Sequence, residues 1–102
     1  MSTAPDRADA SRTMIRKEIR ITNKLGLHTR AAAKLVTCAG VFSSRVQLEW
    51  KDRRVNGKSI IEVMMLAATQ GSVLVLLIEG EDEATACAVL ERLIADRFGE
   101  DE

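Results

Sequence analysis

The sequence predicts an α+β fold in which helices cover one face of a sheet. Segments with apolar residues at alternate positions, which are typical of strands, are interspersed with segments whose apolar residues recur three and four positions apart, which are typical of helices. The predicted order is β-α-β-β-α-β-α, so helices and strands have to share one core. A chain of 102 residues is long enough to bury one such core but not two.

Four segments are expected to form the strands. Residues 15–22 and 44–50 alternate between apolar and polar side chains. Residues 51–53 are expected to turn the chain into a short strand at 54–56, giving a hairpin at a sheet edge, where Lys and Arg oppose pairing with other chains. Residues 73–78 are apolar throughout, as expected for a central strand.

Three segments are expected to form the helices. The first starts with residues 31–36 and ends at Gly40, as a helix-terminating glycine. The second starts at Ser59, which forms a capping-box pattern with Glu62, whose side chain would reach back to the serine amide. The third occupies residues 82–99. Its expected buried stripe consists of Ala86, Val89, Leu90, Leu93 and Ile94.

Charge is distributed unevenly along the chain. The formal net charge is zero, but residues 14–80 hold eleven Lys or Arg against five Asp or Glu (+6), and residues 81–102 hold two against eight (−6). We interpret the basic part as a face that meets acidic protein partners, with the acidic C-terminal helix elsewhere on the domain. A small RNA-binding domain would share this layer plan and basic segment, but aromatic residues are 3% of the chain, with no Tyr. They offer bases no stacking surface, so we expect no nucleic-acid partner.

The ends of the chain differ from its middle. Residues 1–13 are polar and lack the apolar segment of a signal peptide, so we expect a disordered N-terminal extension, followed by one domain at 14–99 and a solvated acidic tail at 100–102. No apolar run is long enough to cross a membrane, so no membrane insertion and a cytoplasmic location are expected. Cys38 and Cys87 should then be reduced thiols in the core, and with one distant histidine they make no metal site.

The only histidine of the chain lies at the start of the first predicted helix. His28 is followed by Thr29 and Arg30, and the unpaired N–H groups and dipole of a helix N-terminus favour an anion at this position. An imidazole can attack a phosphoryl group, and a guanidinium can stabilise the product without a metal or cofactor. Taken alone, a histidine at a helix start is more often a capping or solvated residue.

Two motifs add to this pattern. Gly-Leu-His-Thr-Arg at residues 26–30 resembles the phosphorylation site of the histidine-containing phosphocarrier (HPr) family of the bacterial phosphoenolpyruvate-dependent phosphotransferase system. Residues 54–61 resemble the regulatory serine segment of that family and follow the histidine at the family's distance. The chain departs from the family at Ala31, where Pro is usual, and at Thr29, where Ala is common. Proline at a first helical turn only pre-sets φ, so Ala should be tolerated.

The resemblance implies both a fold and a function. The fold would be an open-faced β-sandwich, with a four-stranded antiparallel sheet and three helices on one face. His28 would accept a phosphoryl group on Nδ1 from phosphorylated enzyme I and pass it to enzyme IIA domains, with Arg30 as charge partner and Ser59 as a regulatory phosphoserine site for a serine kinase/phosphorylase. The protein would be a monomeric carrier in sugar transport, with a phosphohistidine intermediate, rather than a free-standing catalyst.

An apolar surface is expected beside Ser59. Residues 60–67 are apolar except for Glu62. One stripe of a short helix cannot bury this many apolar side chains, so we predict an exposed apolar patch formed by Ile60, Ile61 and Met64. Thr29 and Lys34 would join this patch in partner docking. Two alternatives remain at this point: a regulatory binding module of the same fold that acts through the patch, and a carrier of the nitrogen-related branch of the same system.

Overall fold

The computed structural model describes residues 14–102, so the expected N-terminal extension at 1–13 lies outside the described residues. Within 14–102 the elements follow the predicted order β-α-β-β-α-β-α. The strands are β1 (Ile15–Arg20), β2 (Arg45–Trp50), β3 (Arg53–Asn56) and β4 (Val73–Glu79). The helices are α1 (Thr29–Gly40), α2 (Ile60–Leu66) and α3 (Glu83–Ala95), and a 3-10 turn follows at Arg97–Gly99.

The four strands form one antiparallel sheet in the order β1-β4-β2-β3. The apolar strand β4 is central, pairing Leu74 with Ile19 of β1 and Leu76 with Leu48 of β2. The β2–β3 hairpin places β3 at an edge. Both of these positions were predicted, and the open-faced α+β sandwich with three helices is confirmed.

The core lies between the sheet and the helices. On α3 the expected stripe is partly wrong: Val89 is 40% exposed, Leu93 is half-buried and Cys87 is buried. The helix therefore faces the core through a slightly rotated stripe. The largest buried side chains in the core cluster include Ile21, Leu35, Leu48, Leu66, Leu74, Leu76, Ile78, Leu90, Ile94 and Phe98.

Two helix ends differ from the predictions. Gly40 was expected to be the terminating residue just beyond α1, but it is the last residue of the helix. Val41, which follows it, keeps a right-handed helical conformation (φ −71°). Helix α3 stops at Ala95 rather than Gly99. Arg97 and Phe98 then take left-handed conformations (φ 55° and 56°), and the ring of Phe98 is buried. Burial of a large ring offsets the strain of this backbone, and the turn redirects the C-terminal residues.

Within the described residues, the structure contains no helix long and apolar enough to cross a membrane.

Asp82 ties the start of α3 to the loop before β2. Its carboxylate accepts the backbone N–H of Ser43 at 2.9 Å and of Ser44 at 3.0 Å, and it also accepts the Ser44 hydroxyl. The Ser44 hydroxyl, followed by the Ser43 amide, lowers the pKa of the Asp82 carboxyl from 3.8 to about 2. The ionised form is therefore the one that stabilises the fold.

We expect Asp82→Asn to lower the melting temperature by a few degrees near neutral pH. Because the folded-state pKa is depressed to about 2, the stabilisation is complete above the ordinary value of 3.8 and is lost as the pH falls toward about 2. Calorimetry of parent and variant across this range measures the gap, which should close at the acid end. Glu81→Gln removes the same charge from the neighbouring exposed residue and should change little. A gap that persists at the acid end would exclude the carboxylate as its cause.

Candidate functional site

His28 is the N-cap of helix α1, as the sequence predicted. Its backbone is extended (φ −73°, ψ 177°), and its carbonyl accepts the N–H of Ala32 at 2.8 Å. Its ring nitrogen Nδ1 accepts the N–H of Arg30 at 3.3 Å. Since this N–H belongs to the first helical turn and has no helical partner, the imidazole serves as the cap of the helix. The ring nitrogen Nδ1 therefore faces the positive end of the helix dipole.

The loop before His28 is held by a close approach of two backbone segments. Leu27 is buried, and its N–H donates to the carbonyl of Ala68 at 2.9 Å. Gly26 has a left-handed backbone (φ +66°), and a Cβ on it would lie 2.5 Å from the Ala68 oxygen and 2.9 Å from Thr69 Cα. A side chain has no room there, so glycine is required for the loop to pack and for His28 to reach the cap position.

The second ring nitrogen of His28 contacts the C-terminal tail. Since Nδ1 accepts a hydrogen bond, the neutral ring carries its proton on Nε2, which donates to Oε2 of Glu100. The other carboxylate oxygen of Glu100 accepts from Nδ2 of Asn23 at 3.0 Å. Asn23 is fully buried, and its amide nitrogen also donates to the Gly26 carbonyl at 2.8 Å. One buried amide thus joins the loop of His28 to the tail.

The C-terminal tail at residues 100–102 was expected to be solvated throughout, but only part of it is. Asp101 and Glu102 have exposed side chains, but the Glu100 side chain is only 14% exposed. The carbonyl of Glu102 accepts the N–H of Lys24, whose Nζ lies 3.3 Å from the Glu102 carboxylate. Glu100 and Glu102 therefore hold this tail against the loop that precedes α1.

The environment of Glu100 favours its ionised form. Burial by itself raises the pKa of the carboxyl, but the hydrogen bonds from His28 and Asn23 and, more weakly, the positive charge of Arg30 outweigh burial and leave the pKa below its ordinary value. The carboxylate is thus an acceptor at neutral pH. Sequence reasoning missed this residue, and the only signal available was the opposite charge of the tail and the basic segment.

The other residues expected at the site lie on the first turns of α1. Thr29 and Arg30 are exposed. Lys34, one turn further, donates from Nζ to the Phe98 carbonyl at 2.7 Å, which holds the 3-10 turn against the helix. An open pocket of about 460 Å³ lies at this point. Its lining residues are Lys24, Leu25, Arg30, Lys34, Gly99, Glu100, Asp101 and Glu102.

Ser59 is the N-cap of α2, and its hydroxyl accepts the N–H of Glu62 at 3.3 Å. The second half of the expected capping box is wrong. The Glu62 carboxylate accepts the N–H of Asn56 at 2.8 Å, because the Ser59 N–H already donates to the Asn56 carbonyl. Glu62 therefore braces the end of β3 against the helix that Ser59 begins.

The predicted apolar patch is exposed. Ile61 is 65% and Met64 39% exposed, Ile60 is half-buried, and the neighbouring Met65 is 57% exposed. Helix α2 packs against α1, the helix that His28 begins. The structure thus places the patch and the histidine on two adjacent helices.

The cysteines do not belong to the site. Cys38 is half-buried and Cys87 buried, both are free thiols, and burial raises the pKa of each. Among residues 14–102 there is no group of three or more His, Cys, Asp or Glu side chains that could hold a metal ion.

Comparison with known proteins identifies the family to which the chain is similar. Residues 15–96 match the family model described as "PTS HPr component phosphorylation site". The phosphocarrier protein HPr of Xylella fastidiosa is 52% identical over 88 residues, which span 86% of this chain and 99% of that protein. The HPr of Neisseria meningitidis is 49% identical, over 87% of this chain and the whole of that protein.

Solved structures agree with this match. A crystal structure of HPr from Thermoanaerobacter tengcongensis, in a form named HPr-C-His, superposes with a TM-score of 0.83 at 43% identity, covering 86% of this chain and 99% of that one. The HPr of Bacillus anthracis superposes with a TM-score of 0.78 at 33% identity, covering 80% and 98%. The likeness therefore extends over nearly the full length of the compared proteins.

The close approach at Gly26 predicts a large effect of a single methyl group. Gly26→Ala should destabilise the fold by about 2 kcal/mol or more, because the left-handed backbone and the clash with Ala68 both oppose it. Urea unfolding measures the difference. Gly71→Ala is the matched control, since Gly71 also has a positive φ (+92°) but nothing within 4 Å of an added Cβ. Equal losses in the two variants would show that backbone strain alone, and not the packed loop, makes Gly26 necessary.

Proposed function

This chain belongs to the HPr family of phosphocarrier proteins, and we propose that within this family His28 accepts a phosphoryl group from phosphorylated enzyme I and passes it to enzyme IIA domains. The observation that carries the proposal is the position of the His28 ring, whose Nδ1 caps the N-terminus of α1. The carrier domain would comprise residues 14–99. It would act as a cytoplasmic monomer in sugar uptake.

The cap geometry suits a phosphoryl group on Nδ1. In the transfer step the lone pair of Nδ1 forms the new N–P bond while the bond from phosphorus to the donor breaks, and the electron pair of that bond stays with the donor. The phosphoryl oxygens then lie at the helix N-terminus, where the N–H of Arg30 is released from Nδ1 and can donate to them. The site needs no metal, because backbone donors and a guanidinium supply the stabilisation.

Arg30 is the proposed charge partner of the phosphate. It is exposed on the first turn of α1, two residues from His28, and lines the open pocket beside the tail. A guanidinium keeps its charge at any physiological pH and can donate two parallel hydrogen bonds to a phosphoryl group. Lys34 lines the same pocket and donates one hydrogen bond to the Phe98 carbonyl, so its ammonium group would contribute its positive charge and its remaining N–H donors to docking.

Partner docking is proposed to use the apolar patch together with Thr29 and Lys34. The patch lies on α2, which packs against the helix that His28 begins, so a partner could bury apolar surface on the patch while it contacts the histidine. Phosphorylation of Ser59, by a serine kinase/phosphorylase, would place nearly two negative charges beside Ile60 and Ile61. The helix dipole favours an anion at its N-cap, so the fold would persist while docking weakened.

The experiment that tests the carrier function is phosphorylation by purified enzyme I and phosphoenolpyruvate, read by intact mass before and after mild acid. The parent should gain one acid-labile phosphate, and His28→Ala, which should remain folded, should gain none. Labelling of His28→Ala would disprove the assignment. Transfer from the labelled parent to IIA domains of the sugar and nitrogen branches then identifies the branch, and a parent that takes no phosphate would favour a purely regulatory module.

Regulation at Ser59 is tested separately by binding. Ser59→Glu should bind enzyme I at least tenfold more weakly, because an anion beside the patch must be desolvated in the complex. Its melting temperature should fall by no more than a few degrees, since a carboxylate is favourable at a helix start. Titration calorimetry measures the affinity. Thr85→Glu adds the same charge at an exposed position on α3 and should bind normally. Unchanged affinity for Ser59→Glu would reduce Ser59 to a helix cap.

A further inference from the structure

We propose that Glu100 is a positioning residue for His28, whose carboxylate holds the imidazole proton on Nε2 and so keeps Nδ1 unprotonated and directed at the phosphoryl donor. The proposal deepens the phosphocarrier function and rests on it. It assigns a role to a residue that the family match at 15–96 does not include.

The two ring nitrogens of His28 have opposite surroundings. Nδ1 meets a donor, the N–H of Arg30 at 3.3 Å, and Nε2 meets an acceptor, the carboxylate of Glu100. A neutral imidazole satisfies both contacts in only one tautomer, with the proton on Nε2. The opposite tautomer would set two N–H groups against each other at Nδ1 and leave the carboxylate facing a lone pair. The helix N-terminus and Glu100 therefore select the same tautomer from the two sides of the ring.

Glu100 is held in place by contacts of the C-terminal segment with the loop before α1 and with α1 itself. Its second oxygen accepts from the buried amide of Asn23, which also binds the loop carbonyl of Gly26. The residues before it are fixed by the buried ring of Phe98 and by the hydrogen bond from Lys34 to the Phe98 carbonyl. After it, Glu102 is bound to Lys24 through the backbone and the side chain. A carboxylate with two oriented oxygens and a low exposure of 14% is a prepared partner for the ring.

The carboxylate also matches the charge that develops during transfer. As the Nδ1 lone pair forms the N–P bond, the ring becomes positively charged and keeps its proton on Nε2. Glu100 contacts that proton directly, so the ion pair strengthens as the bond forms. Against this, the carboxylate repels the phosphoryl group, which lies on the far side of the ring and beside Arg30. Coulomb attraction falls with distance, and the shorter contact to the ring should prevail.

Two independent measurements on the full-length chain test this proposal: the tautomer of the His28 ring and the rate of phosphoryl transfer. Two-dimensional ¹⁵N–¹H spectra at about pH 8, where an ordinary imidazole is neutral, report which nitrogen carries the proton. The parent should show the Nε2–H form, and Glu100→Ala should shift both nitrogens toward a mixture of tautomers. Glu100→Gln keeps a carbonyl acceptor without the charge and should retain the Nε2–H form. Asp52→Ala removes an exposed carboxylate from the turn between β2 and β3, outside the site, and should leave the spectrum unchanged.

Single-turnover phosphorylation by enzyme I supplies the second reading. Glu100→Ala should slow transfer roughly tenfold or more, as expected when the oriented partner of a functional histidine is lost. Glu100→Gln should fall between this variant and the parent, and Asp52→Ala should match the parent. Faster transfer in Glu100→Ala would overturn the proposal, since the tail would then obstruct the site. Identical ring shifts in parent and Glu100→Ala would overturn it as well. Failure of the carrier function itself is distinguishable, because the ring spectra are recorded without phosphate.

Discussion

The packing of the loop at Gly26 against the chain at Ala68 is the constraint on which the site depends. A Cβ on Gly26 would lie 2.5 Å from the Ala68 oxygen. Because glycine has none, the loop approaches closely enough for Leu27 to be buried and to donate its N–H to the same carbonyl. His28 is the next residue after Leu27, and this packing places it at the N-cap of α1. Backbone packing two residues away therefore places the residue that would carry the chemistry, and the contacts of its ring then orient the imidazole.

The tail is joined to the same loop, so the constraint extends to the C-terminus. Asn23 binds the Gly26 carbonyl and Glu100 with one buried amide nitrogen, and a buried amide tolerates few rearrangements because each lost hydrogen bond leaves a polar group unsatisfied. The zero net charge of the chain conceals this arrangement. Part of the acidic excess lies against Lys24 and the basic pocket, so a partner approaching His28 meets a surface that already contains three carboxylates.

The features that the sequence could predict are those specified by neighbours in the chain. Alternation in β2, the unbroken apolar run of β4 and the histidine before a helical stripe are local patterns, and the antiparallel pairing of the four strands was expected from the family resemblance. Glu100 could not be placed in this way. Its position depends on left-handed conformations at Arg97 and Phe98, which no propensity favours, and on a contact with a residue 72 positions away. The partner of the Glu62 side chain could not be predicted for a similar reason. The carbonyl of Asn56 accepts the Ser59 N–H that Glu62 was expected to bind, and the Glu62 carboxylate accepts the Asn56 N–H instead.

In the proposed function one histidine accepts and then gives up a phosphoryl group, so the phosphorylated and unphosphorylated forms of the protein have to be close in free energy, since a strong preference for either would stop the transfer in one direction. Under that proposal the two nitrogens of His28 have separate roles. The helix N-terminus at Nδ1 favours the anion that arrives, while the carboxylate at Nε2 favours the positive charge that the ring gains. Placed at opposite sides of one imidazole, they support the same tautomer before the proposed transfer and opposite charges after it, an arrangement that would suit a reversible carrier.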